Sequence, residues 1–153
     1  MLSIFVIVLA RALLVMLFLP FSALDKILNF KQARKQASQA VSASSIGAVL
    51  IVAGFGVEVV MSLAILTGVA DRLAAFVLAG YCIVTAMLWK QFWRVADFRL
   101  KGDSRGREVF WDFLKNLALA GGFFVLAFGA NPTSLQSFLA HPLASTHPYA
   151  VDR

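Results

Sequence analysis

The stretch "LSIFVIVLARALLVMLFLPFSAL", residues 2–24, carries one charge, Arg11, in an otherwise apolar run. A helix rising ~1.5 Å per residue crosses a ~30 Å hydrocarbon core in about 20 residues, so the run reads as a membrane span with a cation inside it. Further runs of this length and character follow at 46–69, 73–93 and 110–130. Hydrophobic residues make up 60% of the chain and charged ones only 14%, and the mean hydropathy is +0.81. Those values exclude an ordinary soluble domain. The runs are continuous rather than alternating, which leaves helices as the spanning form. The expected fold is all-α: an integral membrane four-helix bundle, residues 1–130, with helices over about 2–24, 46–69, 71–93 and 110–130. A tail follows over 131–153. A cleavable leader is the poorer reading of the first run, which lacks a basic n-region and exceeds an ordinary h-region in length.

Basic residues set the expected orientation. Four spans put the loops 25–45 and 94–109 on one side, with Lys26, Lys31, Arg34, Lys35, Lys90, Arg94, Arg99, Lys101, Arg105, Arg107 and Lys115 in or beside them. The opposite side has Arg72 and Arg153. An excess of Lys and Arg marks cytoplasmic loops, so both loops are predicted cytoplasmic and both termini outside. In a bacterium this is the inner membrane. The net charge of +6 is then a matter of topology, and nucleic acid is not an expected partner. Trp89, Phe92, Trp93, Phe110 and Trp111 sit where interfacial aromatics collect. Ile27, Leu28 and Phe30 against Lys31, Arg34 and Lys35 read as a short amphipathic helix on the same surface.

Only one acid lies deep in a run: Glu58, in "GFGVEVVMSL". Counted from the outer ends of their runs, Arg11 and Glu58 lie roughly 13 and 16 Å deep. The first two helices are sequential and antiparallel, so the expectation is an Arg11–Glu58 pair, whose charge-assisted bonds offset the cost of an intramembrane cation. Tyr81 reaches a similar depth. The cluster is either structural glue fixing helix register or a site for a polar head group or proton relay. A second polar group, Ser22, Asp25 and Lys26 with Lys115 and Asn116, lies nearer the basic side. Its lysines either snorkel to lipid phosphates or form a mouth for an anionic lipid or quinone head group. Small residues at Gly54, Gly56, Ala75, Ala79, Ala118 and Gly122 permit close helix contact and carry no chemistry.

Three blocks, "RALLVMLFLPFSALDKI", "VEVVMSLAILTGVADRLAAF" and "FLKNLALAGGFF", resemble the signature of the DoxX family of small four-helix membrane proteins. The matching positions are Arg11, Ser22, Lys26, Glu58, Gly68, Arg72, Lys115 and Asn116. The resemblance implies a four-helix bundle associated with membrane redox systems, among them subunits of thiosulfate:quinone oxidoreductase. Many family members have no defined activity. One departure stands out: where the family often has a His before a Phe-Trp pair, "WKQFW" has Lys90.

The chain lacks the groups for redox chemistry of its own. Cys82 is the only cysteine, so it can form no intrachain disulfide. His141 and His147 lie in the tail, leaving none in the bundle for haem and no expected metal site. In "NPTSLQSFLAHPLASTHPYAVDR", Thr133 is a candidate cap for a short helix with Leu135, Phe138 and Leu139 on one edge, and Pro142 and Pro148 impose an extended path. The tail is either disordered or ordered by docking, and an ordered tail points to a neighbouring subunit. The expected function is a non-catalytic accessory or anchoring subunit of a membrane-bound respiratory or redox complex. Its partners are lipid and other membrane subunits, met through the helix faces and the tail. The alternatives are a quinone-binding oxidoreductase subunit, with Arg11, Glu58, Tyr81, Lys26, Lys115 and Asn116 as candidate contacts, and a small oligomeric transporter centred on Glu58. No covalent cofactor is expected, and quinone or lipid is the expected ligand.

Overall fold

The computed structural model describes residues 2–32, 44–129 and 134–150. Arg34 and Lys35 of the expected amphipathic helix, the candidate cap Thr133, and Arg153 lie outside them. The described residues are helical, with no strand among them: α1 (Leu2–Val15), a π-helical segment (Leu17–Ser22), α2 (Ala23–Leu28), α3 (Ser44–Thr67), α4 (Asp71–Trp89), α5 (Arg105–Phe128) and α6 (Ser134–Ala140). Four stretches are long and apolar enough to cross a membrane: Leu2–Leu28, Val49–Thr67, Asp71–Arg94 and Arg105–Phe128.

The first span is broken in its second half. Pro20 has no N–H for the helix ladder, and Leu19 before it is extended at φ −123°, ψ 112°, as a residue preceding proline prefers. The segment beyond the break continues to Leu28 and packs on α3.

At the centre is α4, packed between α3 and α5. Its alanines at 74, 75, 79 and 86, with Leu78 and Cys82, are all at most 2% exposed. Short side chains let neighbouring backbones approach, which is how helices associate where lipid supplies no hydrophobic drive. Val15, Phe18, Ile65, Phe123 and Ala127 complete the core, while large apolar residues such as Phe5, Leu13, Val60 and Val125 face outward. An apolar exterior around a small-residue interior is the pattern a bilayer imposes.

Local signals place the ends. The fourth span starts at Arg105, ahead of its apolar run, because Ser104 caps it by accepting from the Arg107 N–H at 3.2 Å. The Asp97 carboxylate accepts from the Arg105 and Gly106 N–H groups at 3.0 and 3.1 Å. A Cβ at Gly106 would lie 2.6 Å from the Phe98 Cα, so this approach of loop to helix requires glycine. Phe92 packs at this basic end against Trp93, Phe98, Phe110 and Phe113, with ring centroids 5.0–5.4 Å away.

Over residues 134–150 the tail packs on its own bundle. Of the expected apolar edge of α6, only Phe138 is buried, against Phe76 and Phe128 at 5.4 and 5.2 Å; Leu135 and Leu139 are exposed. Past Pro142 the chain turns back over the α3–α4 link. There the Tyr149 hydroxyl donates to the Leu66 carbonyl, and Pro148 lies on Gly68. Gly68 has φ +77°, and a Cβ on it would meet Pro148 Cδ and Cγ at 2.9 Å. Gly68→Ala is therefore expected to cost about 1–3 kcal/mol and to release the tail. Limited proteolysis in detergent checks this: the variant's tail is cut faster than the parent's, and equal cutting rates mean that the tail does not rest on Gly68.

Candidate functional site

The deep polar residues form two separate clusters, and the expected Arg11–Glu58 pair does not form. Arg11 donates through Nη2 to Asp71 Oδ2 and Thr146 Oγ1, both at 2.7 Å, and through Nη1 to the Ile65 carbonyl at 2.5 Å. Thr146 holds the same carboxylate, its N–H donating to Oδ1 at 2.9 Å and its hydroxyl to Oδ2 at 2.5 Å. Asp71 is fully buried and Arg11 is 6% exposed. Equal Cα depth does not bring two side chains together. Side chains on a helix lean toward its N-terminus, so on antiparallel α1 and α3 Arg11 leans toward the tail end and Glu58 toward the basic end. Two residues level along the backbone thus carry their charges apart. Asp71 opens α4, where the positive end of the helix dipole also favours an anion.

Glu58 is 2% exposed and pairs with Lys26, whose Nζ donates to Oε1 and Oε2 at 2.7 and 2.6 Å. The Tyr81 hydroxyl donates to Oε1 at 2.7 Å and the Ser22 hydroxyl to the same oxygen at 3.1 Å, while Lys26 also donates to Ser22 Oγ at 2.7 Å. Gly54 leaves room for this tyrosine: a Cβ there would stand 3.1 Å from the phenol oxygen.

From this cluster a cavity of about 550 Å³ runs toward the basic end. Glu58, Lys26, Ser22 and Tyr81 line its inner end, with Phe18, Thr85, Trp89 and Leu119 along it and Lys90, Asp112, Lys115 and Asn116 at its mouth. Phe18 of its lining packs against Phe123, centroids 5.8 Å apart, and Leu14 lies over Gly122. At the mouth Asp112 bridges Lys90 at 3.0 Å and Lys115 at 3.3 Å, and its backbone carbonyl accepts from Asn116 Nδ2 at 3.0 Å. Two cations share one acid there, and the inner pair is balanced, so the lining carries one net positive charge.

Five of the six candidate contacts named from the sequence, Glu58, Tyr81, Lys26, Lys115 and Asn116, line one cavity, and Arg11 does not. Asp71, Thr146 and Asp112 escaped the sequence reading. Asp71 lies in the short turn between two runs and Thr146 in the tail, and Asp112 had no role assigned. Among the described residues no group of His, Cys, Asp and Glu could hold a metal ion.

The sequence profile described as DoxX matches residues 6–91, more than half of the 153-residue chain. The chain belongs to the DoxX family. No curated protein and no solved structure matches it. The DoxX match takes in Arg11, Ser22, Lys26, Glu58, Asp71, Tyr81 and Lys90, and ends before the α5 wall of the mouth, with Asp112, Lys115 and Asn116. Lys90, near the end of the matched residues, turns to Asp112 and so helps build that mouth.

Proposed function

We propose that this DoxX-family membrane protein is a non-catalytic subunit of a membrane redox complex and that its cavity holds a quinone head group. The observation that supports this reading is the placing of hydrogen-bond donors at both ends of one aromatic-walled cavity. A quinone ring carries carbonyl acceptors on opposite edges and has flat faces that suit Phe18, Tyr81 and Trp89. Tyr81 and Lys26 would hold one edge, and Lys90, Lys115 or Asn116 the other. The quinone would bring the electron chemistry; the chain supplies fixed donors, with Glu58 holding Lys26, Tyr81 and Ser22 in place. The basic loops and their aromatic rim support the cytoplasmic side of an inner membrane as the face on which the cavity opens.

Titration of the detergent-solubilised protein with a short-tailed benzoquinone, read by quenching of tryptophan fluorescence, tests the site. Saturable binding is expected. In Lys26→Met/Glu58→Leu, which removes both charges together, binding should weaken at least tenfold. Absence of saturation, or equal affinity in the double variant, disposes of the quinone. The subunit role rests on a second result: purification from native membranes in mild detergent should recover a redox complex in fixed ratio, and recovery of the chain alone counts against it.

A further inference from the structure

A second cavity, of about 330 Å³, lies at the tail end beside the start of α4, the end of α5 and the folded-back tail. Its polar lining is Arg72, Ser137, Ser145 and Thr146, over Leu126 and Phe128. The Arg72 guanidinium is held in place: Nε donates to the Ala127 carbonyl at 2.9 Å, Nη1 donates to Ser137 Oγ at 3.2 Å, and Cζ lies 5.6 Å from the Phe138 ring centroid. Asp71, beside it in sequence, is fully buried, and its oxygens accept from Arg11 and Thr146. None of the described residues lining this cavity is an acid.

A rigid guanidinium beside the Ser137 and Ser145 hydroxyls is a set of donors, and the ligand that matches it is a tetrahedral oxyanion. The apolar side formed by Leu126 and Phe128 admits carbon attached to that oxyanion. The cavity also lies where the spans Val49–Thr67 and Arg105–Phe128 end, which is head-group depth for a membrane helix. We propose that this cavity binds a phosphate group, presented by a lipid head group or as free phosphate. The group is gripped by Arg72 and by the hydroxyls of Ser137 and Ser145, while the Thr146 hydroxyl beside them in the lining stays with Asp71. The tail then serves as one wall of a binding site as well as a cover over the Arg11–Asp71 pair. This site is separate from the Glu58 cavity and does not depend on the quinone reading.

The test is binding by the full chain in a neutral detergent, with inorganic phosphate and a short-chain phosphatidylglycerol as probes, by native mass spectrometry and calorimetry. One molecule per chain is expected. Affinity should fall about tenfold or more in Arg72→Gln, which loses a charge-assisted bond, and in Ser145→Asp, which puts a carboxylate against the anion. Arg99→Gln, at the basic end, should bind as the parent does. Binding of both probes identifies the oxyanion itself as the ligand, and binding of the lipid alone identifies a phosphodiester that also needs the apolar side; either outcome upholds the site. If Arg72→Gln fails to fold, Ser145→Asp decides, because it leaves the Arg72 contacts in place and an aspartate can still accept from the His147 N–H as Ser145 does. Binding of neither probe, unchanged affinity in Ser145→Asp, or an equal loss in Arg99→Gln overturns the proposal.

Discussion

Glu58→Ala is expected to destabilise the bundle by about 3 kcal/mol, the low end of the range for removing one partner of a buried ion pair. The substitution takes away the acceptor of three side chains at once: Lys26, Tyr81 and Ser22. What limits the loss is the cavity. The Lys26 side chain is 15% exposed and lines the cavity, so its ammonium can draw on water there when the carboxylate is gone. The double variant Lys26→Met/Glu58→Leu should recover most of the loss, because apolar residues of similar volume commonly replace a buried pair at little cost. Unfolding midpoints in one detergent, measured for parent, single and double variants, check this. A double variant no more stable than Glu58→Ala would mean that the pair is not what holds α2 against α3.

The parts of this molecule that were legible in its sequence are those set by length and composition. Four apolar runs gave four spans because a bilayer fixes the helix length it accepts. Lys26, Glu58, Tyr81, Lys115 and Asn116 of the cavity lining were also reachable from the sequence, though as members of two separate polar groups. Pairing was not legible, because it depends on side-chain direction and helix breaks rather than on depth. Pro20 interrupts the first span between Arg11 and Lys26, so one helix serves two polar clusters, a division no count along the chain reveals. Thr146 was illegible for another reason: it lies 75 residues from the Asp71 it holds, in a tail whose composition suits disorder as well as docking. Asp112 needed the loop 90–104 to bring Lys90 back to α5, and only the Gly106–Phe98 approach shows that the loop closes so tightly.

The larger loss is expected for Asp71→Ala, about 5 kcal/mol, because Arg11 has no comparable cavity to turn to. Its side chain is 7% exposed and that of Asp71 is wholly buried, so the stranded guanidinium keeps only the Ile65 carbonyl and the Thr146 hydroxyl. A double-mutant cycle separates this pairing from the one that depth alone suggests. Arg11→Met and Asp71→Ala should couple by about 2 kcal/mol or more, within the range for residues in one buried network. Arg11→Met and Glu58→Ala should be additive to within about 0.5 kcal/mol, since Arg11 meets α3 at Ile65, two turns or roughly 10 Å from Glu58, and shares no hydrogen-bond partner with it. The unfolding free energies that measure the cycle also report on the tail. Asp71→Ala removes both acceptors of Thr146, so tail cleavage by protease should rise in step with the loss of stability. Strong coupling between Arg11 and Glu58 instead would put the guanidinium in the Glu58–Lys26 cluster and leave Asp71 to the tail alone.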